Sequence, residues 1–263
     1  MPALIFDCDG VLAETEHDGH LPAFNQTFAE FGLPVHWTPE VYSEKIQIGG
    51  GKERMASLFS AAFVQAAGLP TDPTAQQALV AQWHRRKTAI FAERVATGAL
   101  AGRPGIVRLV DEVLAAGWRL AVASASTEGS VRAVLTHVVG PTRAAHFTVL
   151  AGDCVAQKKP APDIYRLALE RLAVPPTATL VIEDSRQGLL AAVGAGLPCI
   201  VTPSSYTLAE AFDEALLVLS HLGDPGRPLT VWANRSQSAP QALLTLDDLV
   251  AGLASKTKPP ATQ

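Results

Sequence analysis

The 263-residue chain is poor in cysteine, in aromatic residues and in excess positive charge. Its three cysteines, Cys8, Cys154 and Cys199, are odd in number and far apart, so they predict neither a disulfide framework nor a zinc site. We therefore expect a reducing, cytoplasmic setting. The net charge of -4 gives no basic footprint, which argues against binding to nucleic acid or to a membrane surface.

Long apolar runs are missing as well. No stretch approaches the length of a membrane-spanning helix, and Asp7 and Asp9 interrupt what would be the apolar core of a signal peptide. The apolar fraction of 48% is typical of an ordinary globular protein, and the length suffices for one large or two smaller domains.

The first dozen residues carry the strongest local signal. Residues 3–6 are apolar and predict a buried strand, which runs directly into Asp7 and Asp9 and then into Gly10, where the backbone can turn. Ligands collect at the carboxyl ends of the strands in an open parallel sheet, so two acids at such an end favour a bound cation. An ordinary acidic turn has the same local pattern, and the rest of the chain decides between them.

A helical block follows the first strand. Apolar residues recur at helical spacing from Leu21 to Phe31 and from Met55 to Ala66, and a third helix is predicted over 73–93. Within the third helix, the charge run Arg85-Arg86-Lys87 is interpreted as a solvated face. The block is much longer than a usual connection between strand and helix, which indicates an inserted helical subdomain over residues 15–95.

Short apolar strands alternate with amphipathic helices beyond residue 96. This alternation predicts an α/β fold with a doubly wound parallel sheet. Past about Ala211 the pattern weakens, and we predict a last strand over 215–219, a loop over 223–239, a closing helix over 243–253 and a frayed tail over 256–263. The core domain would then comprise residues 1–14 and 96–255.

Polar side chains stand where the strong strands end. Ser124 follows one predicted strand, Glu183 and Asp184 follow another, and Lys159 precedes a helix. In a parallel sheet these groups converge with the two acids of the first strand. Four carboxylates repel each other unless a divalent cation lies among them, and all-oxygen ligation favours Mg²⁺. A serine hydroxyl and a lysine are the groups that a phosphoryl group requires from a protein.

In this order and spacing, the segments Asp7 to Leu12, Ser124, Lys159-Pro160 and Glu183-Asp184-Ser185 resemble the four motifs of the haloacid dehalogenase superfamily. The resemblance implies a Rossmann-like core with a helical cap inserted after the first strand. One departure is mild, since Val11 stands where the family often has threonine.

The resemblance also implies residue roles. Asp7 would be the nucleophile that forms an aspartyl-phosphate, and Asp9 would protonate the leaving oxygen and then deprotonate the attacking water. Ser124 and Lys159 would bind the transferring phosphate, and Lys159 would keep Asp7 ionised. An aspartate at position 9 favours a phosphatase or a phosphomutase over a dehalogenase. The implied Mg²⁺ ligands are Asp7, the backbone carbonyl of Asp9, Glu183 and Asp184.

A closer resemblance lies in Glu14 to His20, Phe24-Asn25, Gly49 to Arg54 and Lys158 to Tyr165, which are similar to the CbbY group of sugar-bisphosphate phosphatases associated with the Calvin cycle. It implies a small phosphosugar substrate, xylulose 1,5-bisphosphate or a close pentose bisphosphate. The substrate-binding residues so implied are Glu16, His20, Tyr42, Lys52, Arg54 and Ser126.

The segment from Gly49 to Arg54 has a physical interpretation of its own. A glycine run at a helix start followed by Lys52 and Arg54 offers free N–H groups and two cations, which suit a phosphate that is not transferred. A glycine-rich hinge followed by solvated charges would produce the same pattern.

Three functions stay open on the sequence. A Mg²⁺-dependent sugar-bisphosphate phosphatase, which we expect to be a monomer, is favoured. A sugar-1-phosphate phosphomutase would use the same nucleophile, acid and metal. A receiver-like phosphoaspartate signalling module is the alternative of another class, but it lacks a cap and has no reason for an acid at Asp9.

Overall fold

The computed structural model describes residues 1–254, and the predicted tail over 256–263 lies outside the described residues. The chain divides into two compact units. One comprises Met1–Glu14 together with the residues from Ala101 onward, and the other comprises Thr15–Leu100. The assignment of the second unit as a cap stays a prediction.

The first unit is built on one seven-stranded sheet, in the order β3-β2-β1-β4-β5-β6-β7. All neighbouring pairs are parallel except the last, β6 with β7. The predicted fold class, an α/β parallel sheet flanked by helices, is confirmed. The strands are β1 Ala3–Phe6, β2 Arg119–Ser124, β3 Phe147–Ala151, β4 Thr179–Glu183, β5 Cys199–Val201, β6 Leu217–Leu219 and β7 Val231–Asn234.

The register of the central strands sets the position of the site. Phe6 of β1 is level with Val122 of β2 and with Ile182 of β4. All four residues of β1 are completely buried, as expected for an apolar strand with parallel neighbours on both sides. The residues that follow β1, β2 and β4 therefore emerge side by side at one edge of the sheet.

Helices of the first unit cover the sheet. Helix α6, Ile106–Ala115, carries Ile106, Leu109, Val110 and Val113 at helical spacing, and all four are buried. On the core side, Tyr165 and Leu189 pack with strand residues in one apolar cluster. The helices are α6 Ile106–Ala115, α7 Glu128–Val139, α8 Pro141–Ala144, α9 Asp163–Leu172, α10 Arg186–Gly194 and α11 Leu246–Ala254.

The second unit is helical around an aromatic core. The ring centroid of Trp37 lies 5.0 Å from that of Phe24 and 4.8 Å from that of Phe28, and all three side chains are buried. A π-helical turn over Glu16–His20 precedes five α-helices, which are α1 Leu21–Glu30, α2 Pro39–Lys45, α3 Gly51–Ala56, α4 Ala61–Ala66 and α5 Pro73–Ala96. Within residues 1–254, no helix combines the length and the apolar character needed to cross a bilayer.

The single helix predicted from Met55 to Ala66 is wrong. Helix α3 ends at Ala56 and α4 begins at Ala61. Ser60 has an extended backbone (φ -74°, ψ 154°), and its hydroxyl accepts the N–H of Phe63 at 3.2 Å. A serine that caps the second helix outweighs the continuous apolar spacing.

The C-terminal predictions also need correction. Strand β7, Val231–Asn234, lies within the predicted loop over 223–239, so the strand predicted over 215–219, observed as β6, is not the last. Strand β7 forms because it pairs with β6. Its own sequence shows no alternation of apolar and polar residues that would predict a strand. The closing helix predicted over 243–253 is α11, which begins only after Thr245, where Thr245 and Asp248 cap each other.

Candidate active site

The carboxylates of Asp7 and Glu183 lie at the ends of neighbouring strands. Asp7 directly follows β1, and its N–H donates to the carbonyl of Ile182 at 2.9 Å. Glu183 is the last residue of β4. Lys159 joins them, with its Nζ 2.6 Å from Asp7 Oδ1 and 2.6 Å from Glu183 Oε1, and it donates to the carbonyl of Ala123 at 2.9 Å. One ammonium group thus links the ends of β1, β2 and β4.

Three buried acids lie close enough together to hold a metal ion. Carboxylate oxygens of Asp7, Glu183 and Asp184 lie within 4.8 Å of one another. Burial raises the pKa of Asp7 well above its ordinary value; Lys159 opposes this rise, and the charges of Glu183 and Asp9 add to it. Burial, Asp7 and Glu183 likewise raise the pKa of Asp184. A crowded, desolvated set of carboxylates fits a hard divalent cation such as Mg²⁺.

Two glycines leave the space that the side chains of Asp184 and Glu183 occupy. At Gly10, where φ is +79°, a Cβ atom would lie 2.1 Å from Oδ2 of Asp184. At Gly188, on helix α10, a Cβ atom would lie 2.0 Å from Cδ of Glu183. Both contacts are too close for any side chain, so the backbone itself forms the wall of the acidic cluster.

Asp9 is held by two serines. Its Oδ2 accepts the Ser126 hydroxyl at 2.6 Å and the Ser124 hydroxyl at 3.4 Å. The N–H of Ser126 donates to Ser124 Oγ at 3.1 Å, so the loop after β2 orients both hydroxyls. Ser126, predicted to contact substrate, therefore lies beside the predicted general acid.

The cysteine between the two acids is a buried, neutral thiol. Burial, Asp9 and Asp7 raise the pKa of the Cys8 thiol, which keeps it neutral. Burial and Glu183 do the same for Cys199. Cys154 is exposed. The chemistry of the strand ends therefore rests on oxygen and nitrogen groups.

The helical unit brings three predicted substrate residues together. Arg54 Nη1 lies 3.1 Å from Glu16 Oε1 and donates to the Tyr42 hydroxyl at 2.8 Å, and that hydroxyl donates to Glu16. Arg54 Nε also donates to the carbonyl of Ile48 at 3.0 Å. These contacts hold the Glu16 carboxylate and the Arg54 guanidinium in a fixed, largely buried arrangement.

His20 belongs to a second buried cluster. This cluster includes Lys87, which the sequence analysis did not recognise as a buried residue. Lys87 Nζ lies 2.7 Å from His20 Nδ1, and the His20 ring stacks on Phe91 with centroids 4.1 Å apart. The interpretation of Lys87 as part of a solvated face is wrong, since its side chain is buried. The signal was the helical spacing of Lys87 from Trp83 and Phe91, both buried.

Lys52 lies at the start of α3, beside a cavity of about 550 Å³ in the helical unit. Glu53, Phe59 and Val80 also line this cavity. Nearby, burial together with the charges of Lys87 and Lys52 lowers the pKa of His84 to about 4. Lys52 thus contributes positive potential inside this unit.

Comparison with known proteins decides the family. A family model described as haloacid dehalogenase-like hydrolase matches residues 1–196. The chain belongs to this family. The CBBY-like protein of Arabidopsis thaliana is 45% identical over 224 residues, which cover 85% of this chain and 70% of that protein. Protein CbbY of Cupriavidus necator is 42% identical and covers 87% of this chain, with 89% of its own length matched.

Solved structures agree. The crystal structure of CbbY from Rhodobacter sphaeroides in complex with phosphate is 44% identical, with a TM-score of 0.76, and the match covers 84% of this chain and 95% of that one. A mutant of the same protein, in complex with xylulose-(1,5)bisphosphate, matches with a TM-score of 0.75. The predicted membership of the CbbY group is confirmed, and the chain is a phosphatase of the haloacid dehalogenase superfamily.

Proposed function

We propose that this chain is a Mg²⁺-dependent phosphatase that hydrolyses the 1-phosphate of xylulose 1,5-bisphosphate through an aspartyl-phosphate on Asp7. The observation that carries the proposal is the position of Lys159 Nζ, 2.6 Å from both Asp7 and Glu183 at the ends of neighbouring strands. The substrate follows from the 44% identical CbbY mutant that holds xylulose-(1,5)bisphosphate.

In the first step, a carboxylate oxygen of Asp7 attacks phosphorus while the bond from phosphorus to the sugar oxygen breaks. Asp9 donates its proton to that leaving oxygen. The hydroxyls of Ser124 and Ser126 keep the Asp9 carboxyl group in one orientation. The Lys159 ammonium holds Asp7 and offsets the charge of the phosphoryl oxygens.

In the second step, the Asp9 carboxylate takes a proton from water, whose oxygen attacks the phosphorus of the aspartyl-phosphate. The bond to Asp7 breaks, inorganic phosphate leaves, and both acids return to their starting protonation states. Asp7, the carbonyl of Asp9, Glu183 and Asp184 would hold Mg²⁺. A bound Mg²⁺ would supply positive charge for the phosphoryl oxygens.

We further propose that the helical unit recognises the rest of the substrate. Glu16, Tyr42 and Arg54 already form one hydrogen-bonded cluster, and His20 is held by Lys87. Lys52 and Arg54 are the proposed partners of the phosphate that is not transferred. Lys52→Met should raise KM for the bisphosphate without changing the rate with p-nitrophenyl phosphate, and Lys45→Met, which removes a lysine that donates to Ser57, serves as the matched control.

The test is phosphate release with and without Mg²⁺ from xylulose 1,5-bisphosphate, ribulose 1,5-bisphosphate and β-glucose 1-phosphate, with Asp7→Asn as control. We expect Mg²⁺-dependent release that is fast with the xylulose compound and absent in the variant. Isomerised sugar phosphate without free phosphate would identify a phosphomutase. A single stoichiometric phosphorylation without turnover would identify a signalling module, and either result overturns the proposal.

A further inference from the structure

Arg103 is a buried arginine whose role the sequence did not reveal. It stands just before helix α6, and its side chain is only 9% exposed. Its own N–H donates to the carbonyl of Leu12 at 2.9 Å. Arg103 thus contacts the loop that follows β1.

The guanidinium of Arg103 donates hydrogen bonds to backbone carbonyls at the ends of three strands. Nη1 donates to the carbonyl of Gly10, after β1. It also donates to the carbonyl of Thr202, after β5, at 2.7 Å. Nη2 donates to Pro203 at 3.0 Å and to Ser220, after β6, at 2.7 Å. The fifth N–H, on Nε, is on the side of Glu14, whose Oε1 lies 3.7 Å away. A planar fork with five donors therefore fixes these strand ends relative to one another.

The carbonyl of Gly10 links this fork to the chemistry. Gly10 directly follows Asp9, and a Cβ atom added to it would lie 2.1 Å from Oδ2 of Asp184. The N–H of Gly10 is held by the carbonyl of Ala13 at 2.9 Å. The Gly10 carbonyl belongs to the peptide that joins Gly10 to Val11. Its movement would change the backbone torsions of Gly10 and, through them, the position of Asp9, whose carboxyl group would shift away from the Ser124 and Ser126 hydroxyls.

We propose that Arg103 is a positioning residue for the general acid Asp9, and that the C-terminal segment carrying β6 supports the acid through it. This inference rests on the acid role given to Asp9 under the proposed function. Lysine cannot replace the fork, because its ammonium is a single point charge with three donors.

The test uses leaving groups that differ in their need for a proton. The first-turnover rate of phosphoryl transfer is measured with xylulose 1,5-bisphosphate, whose sugar oxygen leaves only when protonated, and with p-nitrophenyl phosphate, whose phenolate leaves unaided. In Arg103→Lys we expect the rate with the sugar to fall by about 10- to 100-fold, while the rate with p-nitrophenyl phosphate stays within about twofold.

Arg108→Lys is the matched control. Within residues 1–254, the hydrogen bonds of its guanidinium go to the carbonyls of Leu222, Gly223 and Leu244, in the same C-terminal segment, and to Glu112 of its own helix. It should lower the unfolding midpoint without changing the ratio of the two rates. The thermal midpoint of each variant, measured alongside the rates, shows how much stability each substitution removes.

Asp9→Asn separates the two proposals. Equal loss with both substrates in Asp9→Asn would overturn the acid role and hence the proposed function. A selective loss in Asp9→Asn with no selective loss in Arg103→Lys would overturn the inference about Arg103 alone. Where Arg103→Lys does not fold, Arg103→Gln, which keeps a planar head with two donors, is measured in its place, and the same selective loss is required.

Discussion

Lys159→Met is the most direct test of the electrostatics of the strand ends. The substitution keeps the aliphatic length and removes the charge. The side chains of Lys159, Asp7 and Glu183 are 11%, 10% and 1% exposed, so the ion pairs lie in the buried regime. Removing one partner from a buried pair leaves an uncompensated charge, which costs about 3–5 kcal/mol.

The expected magnitude follows from these contacts. The free energy of unfolding of the metal-free variant should fall by about 3–5 kcal/mol at neutral pH. In a chain of this size each kcal/mol shifts the unfolding midpoint by about 2–4 °C, so the midpoint should fall by about 6–20 °C. Urea unfolding in the presence of a chelator measures the free energy, and a thermal scan measures the midpoint.

Lys158→Met is the matched control, because Lys158 is the neighbouring lysine. Its Nζ lies 3.3 Å from Asp153 Oδ1, and the two side chains are 22% and 64% exposed. An ion pair so open to solvent contributes about 0–1 kcal/mol. The two lysines, adjacent in sequence, should therefore differ several-fold in their effect on stability.

The loss in Lys159→Met should depend on pH. Lys159 lowers the pKa of Asp7, so its removal lifts the folded-state pKa of Asp7 further above the unfolded value of about 3.9. The stability that such a group contributes is complete below its unfolded pKa and is lost as the pH rises through its folded pKa. The variant should thus be closest to the wild type near pH 4. Equal losses for Lys159→Met and Lys158→Met, or a loss that does not shrink in acid, would refute this reasoning.

Two further predictions concern the acidic cluster. Gly188→Ala should lower the free energy of unfolding by about 1–3 kcal/mol and weaken Mg²⁺ binding, because the added Cβ atom would overlap Glu183. Gly194→Ala is the control and should do neither, because its Cβ atom would make an ordinary 3.5 Å contact with Pro162. Both are read out by urea unfolding and by Mg²⁺ titration. Saturating Mg²⁺, at about 100 times its Kd, should stabilise the wild type by about 2.7 kcal/mol. This gain in stability should be smaller at pH 5 than at pH 7, because protons compete with Mg²⁺ for Asp7 and Asp184, whose pKa values are raised. Asp184→Asn should abolish most of the gain. An unchanged gain in that variant would place the metal elsewhere.

The convergence of the strand-end residues could be predicted because its signals are local. One apolar strand runs into Asp7 and Asp9, and another runs into Glu183 and Asp184. Each of these short segments predicts both a strand of the sheet and the acids at its end. The parallel register then levels the strand ends, and the structure places Lys159 between them. Strand period and chain order sufficed for this part of the molecule.

The rest depends on contacts between distant segments. Strand β7 exists because β6 offers it a pairing edge, which its own four residues do not reveal. Arg103 is an ordinary arginine before a helix until carbonyls from the ends of three strands converge on it. Lys87 lies in a run of charges, and its burial beside His20 follows from the packing of helix α5 against α1. Strand β7 and the contacts of Arg103 arise from tertiary structure and have no local signal. For Lys87 the helical spacing from Trp83 and Phe91 was a local signal, which the neighbouring charges obscured.

The distribution of the three thiols makes the native chain ready for site-specific labelling. Cys8 and Cys199 are buried and protonated in the folded protein, while Cys154 is open to solvent between β3 and Lys159. A maleimide dye should therefore attach at one position without any engineered cysteine, five residues before the lysine that joins the strand ends. On unfolding, the number of reactive thiols should rise from one to three, so that simple thiol counting reports the integrity of β1 and β5.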